Sequence, residues 1–432
     1  MSRPNILYLH SHDTGRYIQP YGHAVATPNL QRLAEQGMLF RQAFSAAPTC
    51  SPSRAALLTG QAPHSSGMLG LAHRGFALND YRQHIVHTLR EAGYYTALFG
   101  MQHEARDPAM LGYDRLWVES SHVPHVAPRV VDFLSSQPTQ PFFLSVGFFE
   151  THREFPEPDE IPHYCAPPQP LPDTPETRRD MAAFKASAAI LDRGVGAVLD
   201  ALDANGLAER TLVIATNDHG LAFPGMKCTL TDHGIGVALI LRGPSLGAGQ
   251  VSDALVSQID IFPTVCELLA IERPSWLQGR SLLPLVRGET DQVNQAIFAE
   301  VTYHAAYEPQ RAVRTRRWKY IRRFDERDGP ALPNVDDSPS KDVWLAHGWR
   351  DSLLAREQLY DLIFDPNEAG NRAGDPVFAS ALEQMRARLD TWMRATDDPL
   401  LHGPVPAPPG AELNDPSGLS PDEPTRVVEH LH

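Results

Sequence analysis

The run Cys50-Ser51-Pro52-Ser53-Arg54, continued by Ala55-Ala56-Leu57-Leu58-Thr59-Gly60, is the stretch of this sequence best equipped for chemistry. Proline suits the first turn of a helix, so the run predicts a helix that begins just after Cys50. Residue 50 then sits where free backbone N–H groups and the helix dipole favour an anion. Arg54 lies one turn further on and can fold back to the same point. Taken alone, Cys50 reads equally as a small buried apolar residue, and Arg54 as a solvated helix charge. Two more places set polar groups directly after apolar runs. His10, His12 and Asp13 follow Ile6-Leu7-Tyr8-Leu9, and Asn217-Asp218-His219-Gly220 follows Leu212-Val213-Ile214. By themselves the histidines read as hydrogen-bonded core residues and the second motif as an Asx-type turn after a strand. His10 shares a strand face with His12 and reads as a packed neighbour of any site rather than a ligand.

These groups need elements to position them. Short apolar runs predict strands over residues 6–9, 95–99, 142–148, 212–215 and 237–241. Helical spacing is predicted after Thr27-Pro28, where Leu30 and Leu33 share a face and Gly37 ends the segment. It recurs over about residues 81–92, capped by Gly93, and over residues 177–205, with Ile190, Leu191, Val195, Val198 and Leu202 on one side. Strands alternating with helices imply an α/β fold: a large, mostly parallel sheet covered on both faces. A proline-rich stretch from His152 to Thr177 reads as a long surface loop near a site. After about residue 310 the texture changes to short antiparallel strands at Ala312-Val313-Arg314 and Trp318-Lys319-Tyr320-Ile321. An amphipathic helix over residues 378–393 follows, with Leu382, Met385, Leu389 and Trp392 spaced to pack inward. The expected organisation is a catalytic α/β domain over 1–310, a small α+β subdomain over 311–402 and an extended arm over 403–432 that can clasp a neighbouring subunit in a homo-oligomer.

Composition narrows the function classes. Among 432 residues, 42% are hydrophobic and 21% charged, which excludes disordered and fibrous classes. Lys and Arg number 38 against 52 Asp and Glu, a net charge of −14, so nucleic acid is not an expected partner. A small anionic substrate stays compatible, because a local cluster of cations overrides the global field. The 4 cysteines form no disulfide framework and suit a reducing compartment. Met1-Ser2-Arg3-Pro4 runs straight into Asn5-Ile6-Leu7 without a signal-type apolar stretch, and no apolar run is long enough for a membrane span. The expectation is a cytoplasmic protein with no membrane partner.

The Cys50-x-Pro52-x-Arg54 run with its Leu58-Thr59-Gly60 ending resembles the sulfatase signature. The resemblance spans almost the whole chain: Pro4-Asn5-Ile6-Leu7 with His12-Asp13, Thr27-Pro28-Asn29-Leu30, Asn217-Asp218-His219-Gly220, Asp260-Ile261-Phe262-Pro263-Thr264, Gly279-Arg280-Ser281-Leu282-Leu283-Pro284 and Leu359-Tyr360-Asp361. Together with Gly67-Met68 and Thr396-Asp397-Asp398-Pro399, several are most similar to the sulfamidase branch that acts on N-sulfoglucosamine. The family implies an alkaline-phosphatase-like fold with a small C-terminal antiparallel sheet. It also implies oxidation of Cys50 to formylglycine by a formylglycine-generating enzyme. One hydroxyl of the hydrated aldehyde attacks sulfur, and the other expels sulfate. By the same resemblance His12, Asp13, Asp218, His219 and the modified residue 50 hold one divalent metal ion. Parallel strands deliver such ligands at one sheet edge, and the cation polarises the nucleophile.

Further matches assign the remaining roles. Phe99-Gly100-Met101-Gln102-His103 resembles the family's Gly-Lys-x-His run, so His103 inherits a polar contact to the nucleophile's hydroxyl. Phe149-Glu150-Thr151-His152-Arg153 makes His152 the candidate general acid. Lys227, after Phe223-Pro224-Gly225, and Arg54 would bind the sulfuryl group. The sequence departs from the family at His12, where Asp is usual, at His219, and at Met101, where lysine is usual. Calcium is the family's common ion, but two imidazoles shift the expectation towards manganese or zinc. Losing a charge-assisted hydrogen bond of about 1.5–3 kcal/mol at position 101 would slow sulfate transfer by about one to two orders of magnitude unless Gln102, Arg153 or Arg106 compensates. The leading reading is a hydrolase of a sugar sulfate ester or sulfamate. The alternatives are a phosphonate monoester or phosphodiester hydrolase using the same nucleophile, and a non-catalytic binder of sulfated glycans. Tyr303, His304 and Arg311 are candidates for the specificity surface.

Overall fold

The computed structural model describes residues 3–159, 161–244 and 246–429. Met1-Ser2 and the last three residues of the C-terminal arm lie outside the described residues. Eight strands form the large sheet: Asn5–Ser11 (β1), Met38–Phe40 (β2), Tyr95–Gly100 (β3), Arg115–Trp117 (β4), Phe142–Gly147 (β5), Thr211–Asn217 (β6), Leu239–Arg242 (β7) and Gln250–Ser252 (β8). Their spatial order is β4-β3-β5-β1-β6-β7-β2-β8. The stretch from β4 to β6 is parallel throughout. Strand β7 runs antiparallel to both of its neighbours, and β8 is parallel to β2.

Every residue of β1 is buried, as expected for a strand covered on both faces. Alternate side chains enter two different cores. Leu7 and Leu9 join the cluster built with Leu30 and Leu33, with Val126 and Val130 of helix Val123–Ser135, and with Leu191, Val198 and Leu202 of helix Pro175–Ala204. Ile6 and Tyr8 face the other way, onto Leu57 and Leu58 of helix Cys50–Thr59 and onto Ile85, Phe262 and Val265. All ten residues of the Cys50 helix are buried, so it is a central element and not a surface one.

The smaller antiparallel sheet comprises Ile297–Tyr303 (β9), Tyr307–Arg314 (β10), Trp318–Arg323 (β11) and Glu357–Asp361 (β12) in that order. It opens at Ile297, ahead of the expected change near residue 310. Helix Ala379–Ala395 buries Leu382, Met385, Leu389 and Met393 against Val313, Tyr320 and Leu359. Trp392 packs half-buried at the margin of the same cluster, stacked on Phe298 with ring centroids 4.9 Å apart. In the arm, Val405, Ala411 and Leu413 are buried against this same chain, and the Asn414 N–H donates to the Ala305 carbonyl at 2.9 Å. Part of the arm therefore packs on the chain's own domains, while Leu419 and Val427 stay exposed. No helix among the described residues is long and apolar enough to cross a membrane.

Candidate active site

Four neighbouring parallel strands end at one edge of the sheet, and each is followed within a few residues by polar side chains. His12 and Asp13 follow β1, His103 follows β3, His152 follows β5, and Asp218 and His219 follow β6. The register aligns these ends: Gly100 pairs with Gly147, His10 with Gly147, and Ser11 with Asn217. Two glycines make the edge tight enough. A Cβ on Gly100, whose φ is +83°, would lie 2.3 Å from the Gly147 carbonyl, and one on Gly147 would lie 2.2 Å from the Met101 carbonyl. The Cys50 helix points its N-terminus at this edge, where the unpaired N–H groups favour negative charge.

One donor atom from each of His12, Asp13, Cys50, Asp218 and His219 lies within 4.8 Å of all the others, and all five residues are buried. His12 Nδ1 is 2.8 Å from Asp13 Oδ1 and 3.0 Å from Asp218 Oδ2. His219 Nε2 is 3.2 Å from Asp13 Oδ1 and 3.3 Å from Cys50 Sγ. His219 Nδ1 donates to the Gly220 carbonyl at 3.0 Å. With Nδ1 so engaged, Nε2 of His219 faces a carboxylate oxygen and a sulfur. Burial pushes His12 down to about 4, so its ring is neutral at pH 7. Carboxylates and imidazole nitrogens that converge in this way are the groups a cation collects. The donor set thus fits a divalent ion, and its mixture of nitrogen and oxygen suits manganese or zinc at least as well as calcium.

The two carboxylates are held differently. Asp218 Oδ1 accepts the backbone N–H groups of Asp13 and His219, each at 2.9 Å, and Oδ2 accepts from Arg54 at 3.0 Å. Burial opposes ionisation of Asp218, yet His12, His219 and Arg54 hold it well below the usual carboxylate range. Asp13 adopts φ +52°, a left-handed conformation that aspartate tolerates. Its Oδ2 accepts from Lys227 Nζ at 2.9 Å. Burial likewise opposes ionisation of Asp13, but Lys227 and the neighbouring imidazoles keep it charged.

Arg54 reaches the site from one turn into the Cys50 helix. Its terminal nitrogens donate to the Ser11 carbonyl, to Asp218 and to His10 Nδ1, so the guanidinium supports a site carboxylate. His10 stacks on Tyr8 and reaches Ser145, behind the cluster. Lys227 lies at the centre of the mouth, buried, with Nζ 2.9 Å from both Asp13 and Asp336 and 3.3 Å from His152 Nε2. The adjoining Cys228, at φ +66°, donates its N–H to the Pro48 carbonyl and so ties this loop to the approach of the Cys50 helix. His152 is partly exposed. Its Nδ1 donates to the Arg153 carbonyl at 2.5 Å, which leaves Nε2 turned towards Lys227 and Asp13.

His103 reaches the edge of the site, 6.2 Å from His12 between ring centroids, but its Nε2 pairs with His73 Nδ1 at 2.6 Å. Among the described residues it makes no hydrogen bond to Cys50. None of the residues considered as substitutes for lysine at position 101 is free at the site. Gln102 closes its own loop onto Ala105, Arg153 forms a two-pronged pair with Asp180, and Arg106 is exposed. Tyr303 and Arg311 lie elsewhere: Tyr303 donates to the Val405 carbonyl, and Arg311 is buried against Asp398. Asp336 was not foreseen. It precedes Asp337-Ser338-Pro339, a pattern that reads as the start of the helix Pro339–Ala346, and no local spacing places it on Lys227.

Comparison with known proteins agrees with this arrangement. The Sulfatase family matches residues 4–271, and the C-terminal region of N-sulphoglucosamine sulphohydrolase matches residues 226–347. N-sulphoglucosamine sulphohydrolase of Homo sapiens is 32% identical over 468 residues, covering 93% of this chain and 92% of that protein. A solved structure described as a complex with its substrate D-glucosamine-2-N,6-O-disulfate shares the fold, with a TM-score of 0.75, 18% identity, and coverage of 93% of this chain and 99% of the other. The phosphonate monoester hydrolase of Agrobacterium radiobacter shares it too, with a TM-score of 0.71, 21% identity, and coverage of 94% and 100%. With the family match extending over more than half of its length, this chain belongs to the sulfatase family of hydrolases.

Proposed function

We propose that this chain is a formylglycine- and metal-dependent hydrolase of a sulfamate or sulfate ester on a sugar of the N-sulfoglucosamine type. The observation that carries the reading is the convergence of Cys50 with two carboxylates and two imidazoles beneath the buried Lys227 ammonium. When present, formylglycine at residue 50 supplies an oxygen nucleophile and a divalent ion held by His12, Asp13, Asp218 and His219 polarises it. The chain's own residues do the rest. The N-terminus of the Cys50 helix and Lys227 draw the sulfuryl group to residue 50. Arg54 keeps Asp218 ionised and aimed. His152, oriented by its bond to the Arg153 carbonyl, turns Nε2 towards the leaving nitrogen or oxygen as the candidate general acid. The relative in Homo sapiens supports the sugar and the sulfamate linkage, since its name states that chemistry.

Mass spectrometry of the tryptic peptide containing residue 50, from protein made alongside a formylglycine-generating enzyme, tests the nucleophile. An unmodified thiol there would contradict it. Parallel kinetics on D-glucosamine N-sulfate, an aryl sulfate and a phosphodiester test the substrate class. Met101 favours a second reading, phosphonate monoester or phosphodiester hydrolysis, because the site lacks the family's usual lysine there. A phosphodiester preference of several orders of magnitude would make that reading the better one.

A further inference from the structure

The carboxylate of Asp336 is an unexpected group in a site meant for an anion. It lies 2.9 Å from Lys227 Nζ and offsets part of the charge that would attract a sulfuryl oxygen. Burial opposes its ionisation, but Lys227 holds it down to about 2, so it is charged at neutral pH. Lys227 is shared with Asp13, so one ammonium serves two carboxylates. Asp336 bonds through Oδ2; its other oxygen makes no hydrogen bond among the described residues.

The loop presenting Asp336 is firmly braced. Asn334 accepts from the Ala306 N–H at 2.8 Å and donates to Glu308 at 2.9 Å. Lys341 donates to the Val335 carbonyl at 2.7 Å and to Asp337 at 2.6 Å, and Ser338 caps the following helix. Such bracing is what a recognition group needs. A second group points to a ligand independently. His304 is only 6% exposed, its N–H donates to the carbonyl of Ala306, which Asn334 of the Asp336 loop holds in turn, and its Nδ1 has no hydrogen-bond partner among the described residues. A buried polar atom left unpaired carries a cost that a bound polar group removes.

We infer that Asp336, with His304 beside it, recognises the amine side of an amino sugar and makes the site selective for leaving groups rich in N–H and O–H donors. The inference rests on the proposed function, because it assigns Asp336 to the same mouth on the side of His152. A carboxylate there accepts hydrogen bonds from the leaving nitrogen and from the ammonium of the released sugar. It repels substrates with a second anion next to the scissile bond, such as a neighbouring carboxylate or sulfate. His304 Nδ1 takes up a ring hydroxyl.

The test compares the full chain with its Asp336→Asn variant on D-glucosamine N-sulfate and on 4-nitrophenyl sulfate, whose leaving group offers no amine. Binding of D-glucosamine itself is measured in parallel by calorimetry. The expected result is a fall of about tenfold or more in kcat/KM for the N-sulfate relative to the aryl sulfate, with a matching loss of D-glucosamine affinity. Equal changes on both substrates, or unchanged D-glucosamine binding, would overturn the inference. If Asp336→Asn does not fold, Asp336→Glu and His304→Gln give the same ratio. A wild-type chain that binds D-glucosamine through Asp336 but cleaves neither sulfuryl compound sinks the proposed function and leaves this recognition standing. Cleavage of both with an unaltered ratio in the variant sinks only the recognition.

Discussion

Two buried clusters of histidine and carboxylate occur among the described residues, and they differ in how their lone pairs are used. At the sheet edge, His12, Asp13, Cys50, Asp218 and His219 converge. Between the large domain and the small sheet, His64, Glu300 and Asp398 converge. In the second cluster Arg311 lays its fork on Asp398, with contacts of 2.6 and 3.1 Å, and also reaches within 3.7 Å of Glu300. His64 is bonded to Glu300 through both its backbone N–H and its ring. Those carboxylate oxygens are fully engaged, so the group reads as a structural ion-pair network. At the sheet edge Arg54 and Lys227 each engage one carboxylate oxygen, while Asp13 Oδ1 faces two imidazoles. Residue types alone do not separate a metal site from a staple. Cations that leave some lone pairs unspoken for do.

The comparison breaks most sharply through activity. Cys50→Ala removes the proposed nucleophile and should lower kcat/KM by about 10⁴-fold or more. It deletes only a small buried group, so the melting transition should stay close to wild type. A variant with appreciable turnover would show that residue 50 is not the attacking group. The second cluster should respond in the opposite way. Arg311→Met leaves Asp398 and Glu300 buried without their cation and should cost about 3–5 kcal/mol in denaturant unfolding. The folded fraction should keep its kcat/KM. Acid dependence adds a signature. Burial opposes ionisation of Asp398, yet Arg311 holds its carboxyl below the ordinary range. A carboxyl with a lowered folded pKa contributes stability that is present above its unfolded value of about 3.9 and is lost as pH falls. Wild-type stability should therefore decline through that window, and the decline should flatten in Arg311→Met.

Metal binding tests the same contrast on a smaller scale. One ion per chain is expected by calorimetry with manganese or calcium. Asp218→Asn should weaken it by about tenfold or more, since ion affinity follows the charge of the ligands. His64→Gln should leave the titration unaltered. A second equivalent of ion that disappears in His64→Gln would mean that the staple is a metal site after all.

Much of this molecule was legible before any coordinates, for definite physical reasons. Strands buried on both faces are continuous apolar runs, so β1, β3, β5 and β6 stand out, and with them the positions just past their ends. The helix Val123–Ser135 did not, because Pro124 and Pro128 argue against a helix. Pro124 is harmless in the first turn. The bond forfeited by Pro128 is outweighed by burial of Val126, Val130 and Phe133. Three-residue strands such as Met38–Phe40 and Gln250–Ser252 are too short to show a period. Asp336 was hidden for a different reason: it reaches Lys227 across 109 residues, by a return of the C-terminal part over the strand ends that no local pattern encodes. The region of Arg54 was legible but not its bond to Asp218, since spacing shows which turn it occupies and not which acceptor takes its fork.

Position 101 gives the finest measure of how complete the sheet-edge cluster is. Met101 is half-buried directly after Gly100, and its N–H donates to the Gly147 carbonyl at 2.8 Å, so its backbone is fixed by the edge itself. Lysine has an unbranched side chain of similar length and keeps that backbone intact. If the site is tuned for sulfuryl transfer but lacks one cation, Met101→Lys should raise sulfatase turnover by about tenfold, the equivalent of about 1.4 kcal/mol. If Lys227, shared by Asp13 and Asp336, already supplies the charge the reaction needs, a second ammonium should instead tighten product sulfate and lower kcat. Burst kinetics separate the two outcomes, because slow release appears after the first turnover and slow chemistry within it. A gain would mark the wild-type cluster as one cation short, whereas a loss would mark its charge as already matched to its substrate.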